Sequence, residues 1–110
     1  MKIFKFKDMK GGWYVVDFSP NAYKTKDFEV CYKKHSQGEN WECHYHKVGT
    51  EINFLVKGKM KIQDKIINSG DIFVIPTYEI ADPEFLEDCE LIIIKTPSNT
   101  EDKYVIDIKK

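Results

Sequence analysis

Two histidines and a glutamate stand close together near the middle of this chain: His44, His46 and Glu51. If residues 44–46 form a strand, side chains two apart project to the same face, so His44 and His46 point together and Tyr45 points the other way. Residues 47–50, Lys-Val-Gly-Thr, include a glycine and suit a four-residue hairpin reversal. That reversal brings Glu51 onto the partner strand beside His46, where cross-strand neighbours on one face lie about 5 Å apart. Two imidazoles and a carboxylate grouped in this way form an N/O ligand set for one divalent ion (Fe, Mn, Ni, Co or Zn), with positions left for water or substrate. A histidine pair at i and i+2 is common without any metal. The glutamate at hairpin spacing is what turns the pattern into a metal-site expectation, because a carboxylate on an inward face is costly without a partner.

The elements that must position these residues read as β-strands. Short apolar or alternating runs occur at residues 28–33, 44–46, 51–57, 59–62, 65–67, 71–75 and 90–95, with a last one at 104–108. The opening residues 1–8 alternate apolar with charged side chains and read as a strand as well. Between the runs lie Gly11-Gly12, Ser19-Pro20-Asn21, Ser36-Gln37-Gly38, Gly58, Asn68-Ser69-Gly70 and Thr96-Pro97-Ser98-Asn99, all turn-forming residues. Many strands at short, even spacing predict an all-β sandwich or barrel. Residues 82–88 hold at most a turn of helix, and Pro83 and the mixed pattern weaken even that. There is no internal repeat, low-complexity tract or linker, so one domain over residues 1–110 is expected.

Composition narrows the function classes. Of the 110 residues, 42% are apolar and 32% charged, which suits an ordinary globular protein, and a net charge of −1 argues against nucleic acid as a partner. No apolar run approaches the roughly 18 residues that cross a bilayer, and no signal peptide precedes the first strand, so no membrane partner is expected. Three widely spaced cysteines, Cys31, Cys43 and Cys89, suit a reducing cytoplasm better than a disulfide framework or a thiolate zinc site.

The spacing G-x5-H-x-H-x4-E-x6-G, filled by Gly38, His44, His46, Glu51 and Gly58, resembles the first motif of the cupin superfamily at every fixed position. The second motif, G-x5-P-x-G-x2-H-x3-N, is matched by Gly70 and Pro76. Tyr78 stands at its glycine, Ala81 at its histidine and Phe85 at its asparagine. The resemblance covers roughly residues 28–96. It implies a double-stranded β-helix, or jelly-roll β-barrel, with a divalent metal ion inside the barrel mouth and His44, His46 and Glu51 as ligands.

Ala81 cannot supply the family's fourth ligand, and three outcomes stay open. Three protein ligands plus water could hold the ion. A nearby acid could substitute: Glu79 shares strand parity with position 81, while Asp82 would need a bulge to turn inward. Or the ion is lost and the histidines contact an organic ligand. By parity from Glu51, Asn53 and Leu55 face inward and Ile52, Phe54 and Val56 face out, so Asn53 is a pocket candidate; Tyr78, with Trp13, Tyr14, Trp41 and Tyr45, is an aromatic candidate for lining a pocket or a dimer contact. An apolar outer face needs cover, which a second copy of the chain would supply, and small cupins commonly form homodimers. His35, outside the motif, is expected to be a surface or loop residue. The acidic stretch 82–90, if it flanks the pocket, would favour cationic or neutral ligands. The function expected is a metal-dependent enzyme acting on a small polar molecule, a sugar or amino-acid derivative. The alternatives are a non-enzymatic module that binds or senses a small ligand, and a structural cupin with a vestigial site.

Overall fold

The computed structural model describes residues 1–99 and 101–106. In chain order the strands are β1 (Trp13–Val15), β2 (Glu29–His35), β3 (His44–Tyr45), β4 (Thr50–Lys57), β5 (Lys59–Ile62), β6 (Lys65–Asn68), β7 (Ile72–Ile75), β8 (Glu84–Phe85), β9 (Cys89–Thr96) and β10 (Tyr104–Val105). They form a five-stranded sheet in the order β1-β2-β9-β4-β7, a three-stranded sheet β6-β5-β8 and a two-stranded ribbon β10-β3. Every pairing between these strands is antiparallel. Among the described residues no helix is long and apolar enough to cross a membrane.

Period-two alternation decides which side chains enter the barrel. Along β2 the inward positions are Glu29, Cys31, Lys33 and His35; along β9 they are Cys89, Leu91, Ile93 and Lys95; along β4 they are Glu51, Asn53 and Leu55. The register lines these up in rows, with Leu55 opposite Leu91, Asn53 opposite Ile93, and Lys95 between Glu29 and Glu51. The core sits toward one end of these rows, where Leu55, Met60, Phe85, Cys89 and Leu91 join the five-stranded and three-stranded sheets. Ile62, Ile75 and Ala81 form a second cluster, with Ile67 and Phe73 packed against both.

Gly58 lets β4 turn directly into β5. Its φ is +106°, and a Cβ there would stand 2.4 Å from the Asp88 carbonyl oxygen, so only glycine fits. The β5–β6 hairpin turns on Gln63 and Asp64, both at positive φ, the conformation that matches the twist of paired strands.

Three sequence expectations need correction. Residues 1–5 form no strand and Phe6–Asp8 is a short 3-10 turn; the alternation there has no neighbouring strand to pair with, and Ile3, Phe4 and Phe6 stay exposed. Within 82–88 the chain forms strand β8 rather than helix, because Glu84 and Phe85 pair with Lys61 and Met60. The last strand is seen as Tyr104–Val105, and residues 107–108 of the expected run lie outside the described residues.

Candidate metal centre

His44 and His46 project together as the two-residue period requires, and both are buried. Tyr45 between them faces the other way and stacks on Tyr78 and Tyr104, at 6.2 and 5.4 Å between ring centroids. Such a short strand is held by pairing with β10 on one side and by a bridge to Ala81 on the other. His46 is tied in turn by its carbonyl, which accepts the Tyr78 backbone N–H at 2.7 Å.

The reversal between His46 and Glu51 is fixed by Asp102. Its buried carboxylate accepts the backbone N–H groups of Lys47, Val48 and Gly49 at 2.8, 3.0 and 2.7 Å. Burial alone would raise the Asp102 carboxyl. The three N–H donors, Gly49 first, outweigh it and hold the group below its ordinary value. Asp102 thus anchors the loop that leads from His46 to Glu51.

One oxygen of Glu51 lies 3.7 Å from Nδ1 of His46 and 4.0 Å from Nε2 of His44. One donor atom from each of the three residues falls within 4.8 Å of the others. These separations are too long for hydrogen bonds. They are wider than the roughly 2.8–3.6 Å between donors held about 2.0–2.2 Å from a common ion, so small side-chain movements would draw the group in around one. The second Glu51 oxygen accepts from Asn53 Nδ2 at 3.1 Å. His44 donates its Nδ1–H to the Glu42 carbonyl at 3.1 Å, which leaves the Nε2 lone pair free toward Glu51.

Protonation states suit a cation as well. Burial pulls the Glu51 carboxyl up, but the facing His44 imidazole, the hydrogen bond from Asn53 and the nearby His46 prevail and hold it below its ordinary value. Burial first and the Lys95 ammonium second depress the His46 imidazole, so it is neutral at pH 7. A neutral imidazole and an ionised carboxylate are the forms that bind metal.

The other expected site residues fall in different places. Asn53 is buried, lines the cavity and holds Glu51. Ala81 lies directly against His44, with two backbone hydrogen bonds of 3.0 and 2.7 Å between them, so only a methyl group occupies the position at which the cupin second motif has a histidine. Glu79 is exposed, outside both the group and the cavity. Strand parity with position 81 does not reach it, because β7 ends at Ile75 and the chain turns through 76–78. Tyr78 is 66% exposed and lies outside the cavity, against Tyr45. Its φ of +67° retains the glycine-like backbone that the second motif calls for. Asp82 points elsewhere and accepts the Gln63 backbone N–H at 2.8 Å.

The group opens into a cavity of about 440 Å³ between the sheets, within the usual range for a small-molecule site. Several of its residues escaped sequence reasoning. His35 is buried rather than superficial: it lines the cavity, stacks on Phe85 at 4.1 Å and places Nδ1 2.5 Å from Oε2 of Glu39. Parity along β2 could have turned it inward, since Cys31 and His35 share a face. Lys95 is buried in β9 and also lines the cavity. Of the acidic stretch 82–90, only Pro83 and Phe85 reach the lining, so its charges do not face the pocket.

No protein-family model and no curated protein matches the chain. Among solved structures it is similar to an uncharacterized conserved protein with a double-stranded β-helix domain from Klebsiella pneumoniae, at 15% identity over 76% of this chain and 74% of that one, with a TM-score of 0.69. It is similar to KdgF from Halomonas sp., at 23% identity over 70% and 74% of the two chains, with a TM-score of 0.65. An RmlC-like cupin from Shewanella frigidimarina follows at 16% identity, 69% and 71% coverage and a TM-score of 0.62. The chain shares the double-stranded β-helix fold of these structures, with His44, His46 and Glu51 gathered inside its barrel.

Proposed function

We propose that the protein binds one divalent metal ion through His44, His46 and Glu51 and acts as a metal-dependent enzyme on a small polar molecule. The observation that carries this reading is the convergence of the three donor atoms, within 4.8 Å, at the wall of a cavity of small-molecule size. An ion held there supplies Lewis acidity, polarising a carbonyl or activating water or O₂. Asp102 and Asn53 orient the carboxylate, the Glu42 carbonyl orients His44, and the apolar walls limit water. The methyl of Ala81 leaves coordination positions to water and substrate, which fits a three-ligand site. The same missing ligand favours a second reading, in which the protein binds or senses a small ligand without turning it over.

Two further expectations belong with this reading. A homodimer would cover the outer face of the five-stranded sheet, where Phe54, Val56, Ile72 and Val74 are exposed. The free thiols of Cys31, Cys43 and Cys89 suit a reducing, cytoplasmic location.

Metal analysis of the purified protein tests the site. About one ion per chain is expected in the wild type and almost none in a His44→Ala, His46→Ala double variant. Wild-type content in the folded double variant overturns the assignment. Turnover of candidate sugars and amino acids that depends on added Fe(II), Mn(II) or Zn(II) separates the enzyme from the binding module, which would show saturable binding and no product.

A further inference from the structure

Lys95 is a buried cation, 7% exposed, whose side chain lines the cavity. In the sheet it stands between Glu29 and Glu51, yet both carboxylates are engaged elsewhere. Glu29 accepts from Ser98 Oγ at 3.1 Å and from the Asn99 backbone N–H at 2.9 Å. Glu51 accepts from Asn53 and faces the two imidazoles. Among the described residues the Lys95 ammonium forms no ion pair with either. The residue is buried but its ammonium is not sealed off: it opens to the cavity, where it meets an anion without first having to leave a carboxylate.

The rest of the lining points to the same sign of charge. Four lysines, Lys10, Lys33, Lys95 and Lys103, face the cavity against two glutamates, although the whole chain is at −1. Lys33 lies over Trp13 and Trp41, at 5.8 and 5.5 Å from the ring centroids, and Lys103 lies over Trp41 at 5.0 Å. These cations are held at aromatic faces rather than by carboxylates, so they stay available to a ligand. The chain has no arginine, and the deep position offers one ammonium as a point charge rather than a planar fork or a nest of N–H groups. One carboxylate matches it better than a phosphate does.

We propose that the cavity takes a small organic acid, whose carboxylate pairs with Lys95 beside the His44, His46 and Glu51 group and whose remaining atoms lie against Trp13 and Trp41. This rests on the metal-site reading for the second partner of the carboxylate, whereas the pairing with Lys95 stands without an ion. The residue assigned is Lys95, with Lys33 and Lys103 as a cationic rim.

Both tryptophans of the chain line the cavity, so intrinsic fluorescence reports occupancy directly. The full-length protein is titrated with succinate and succinamide, with D-glucuronate and D-glucose, and with inorganic phosphate, in metal-free and Mn(II)-loaded forms. At least one acid should bind about tenfold or more tightly than its neutral counterpart, and Lys95→Met should remove that preference. The wild-type comparison of acid with neutral analogue needs no variant, so a poorly folded Lys95→Met protein does not spare the proposal. Equal binding of each acid and its neutral counterpart, no saturable binding by either acid, or tighter binding of phosphate overturns it, as does a folded Lys95→Met protein that keeps the preference. Lys95-dependent acid binding in a protein that takes up no metal sinks the metal reading alone; metal uptake with no acid preference sinks this proposal alone.

Discussion

The two ends of the barrel interior are built by the same alternation and differ in what burial does for them. At one end Leu55 and Leu91 stand opposite each other and meet Met60 and Phe85 from the facing sheet. Removing those side chains from water is itself stabilising, by about 1.5–3 kcal/mol for a fully buried residue. At the other end the same strands deliver Glu29, Lys95 and Glu51, and β3 adds His44 and His46. Burial there opposes every charged form, so each group needs a partner: Asn53 for Glu51, Ser98 and Asn99 for Glu29, Asp102 for the loop that carries Glu51. One end holds the fold together; the other depends on the fold and makes a binding site of it.

Substitutions should therefore separate the ends. Leu55→Ala is expected to cost about 2–5 kcal/mol in urea unfolding while leaving metal content per folded chain unchanged. A loss of metal without a loss of stability would break the division. Gly58→Ala forces a Cβ toward the Asp88 carbonyl at positive φ and should cost about 1–3 kcal/mol or more, read from the same curves.

Asp102→Asn tests the polar end from its support. The variant loses the carboxylate that gathers three N–H groups and should be destabilised by about 1–3 kcal/mol, with weaker metal binding. The pH dependence follows from the sign of the Asp102 shift. Its folded-state pKa is depressed, so its contribution is fully present above the ordinary carboxyl value and is lost as pH falls through the lower folded value. Unfolding curves across that acid range should be flatter for Asp102→Asn than for the wild type; parallel curves would remove Asp102 from the account. His46, also depressed, adds stability above its unfolded pKa that fades as the pH drops through the folded one. The smallest effect on folding is expected outside the barrel, where Phe54→Lys with Val74→Lys should change stability by about 0.5 kcal/mol or less per site in the monomer. Light scattering should show the same double variant at half the wild-type mass if the outer face is a dimer contact.

How much of this the sequence discloses depends on how local each interaction is. His44, His46 and Glu51 lie within eight positions, and strand parity plus one reversal brings them together. The outward set Ile52, Phe54 and Val56 is legible for the same reason, and none of the three is buried. Asp102 is silent in the sequence because the backbone groups it holds lie more than fifty positions away. Lys95 looks like any surface lysine until the pairing of β9 with both β2 and β4 places it in the middle of a buried row. Parity also misleads where a strand has ended, as at Glu79, or where no partner strand exists, as at residues 1–5. Strand β8 is two residues long and owes its extended form to β5 rather than to any preference of its own.

The central claim is that three side chains share one ion, and anomalous diffraction from crystals of the metal-loaded protein tests it most directly. The account predicts one strong peak, about 2.0–2.2 Å from Nε2 of His44, Nδ1 of His46 and a Glu51 carboxylate oxygen, with open positions on the side of Ala81 and the cavity. A peak elsewhere, or none in protein soaked to saturation with Mn(II) or Zn(II), would contradict it.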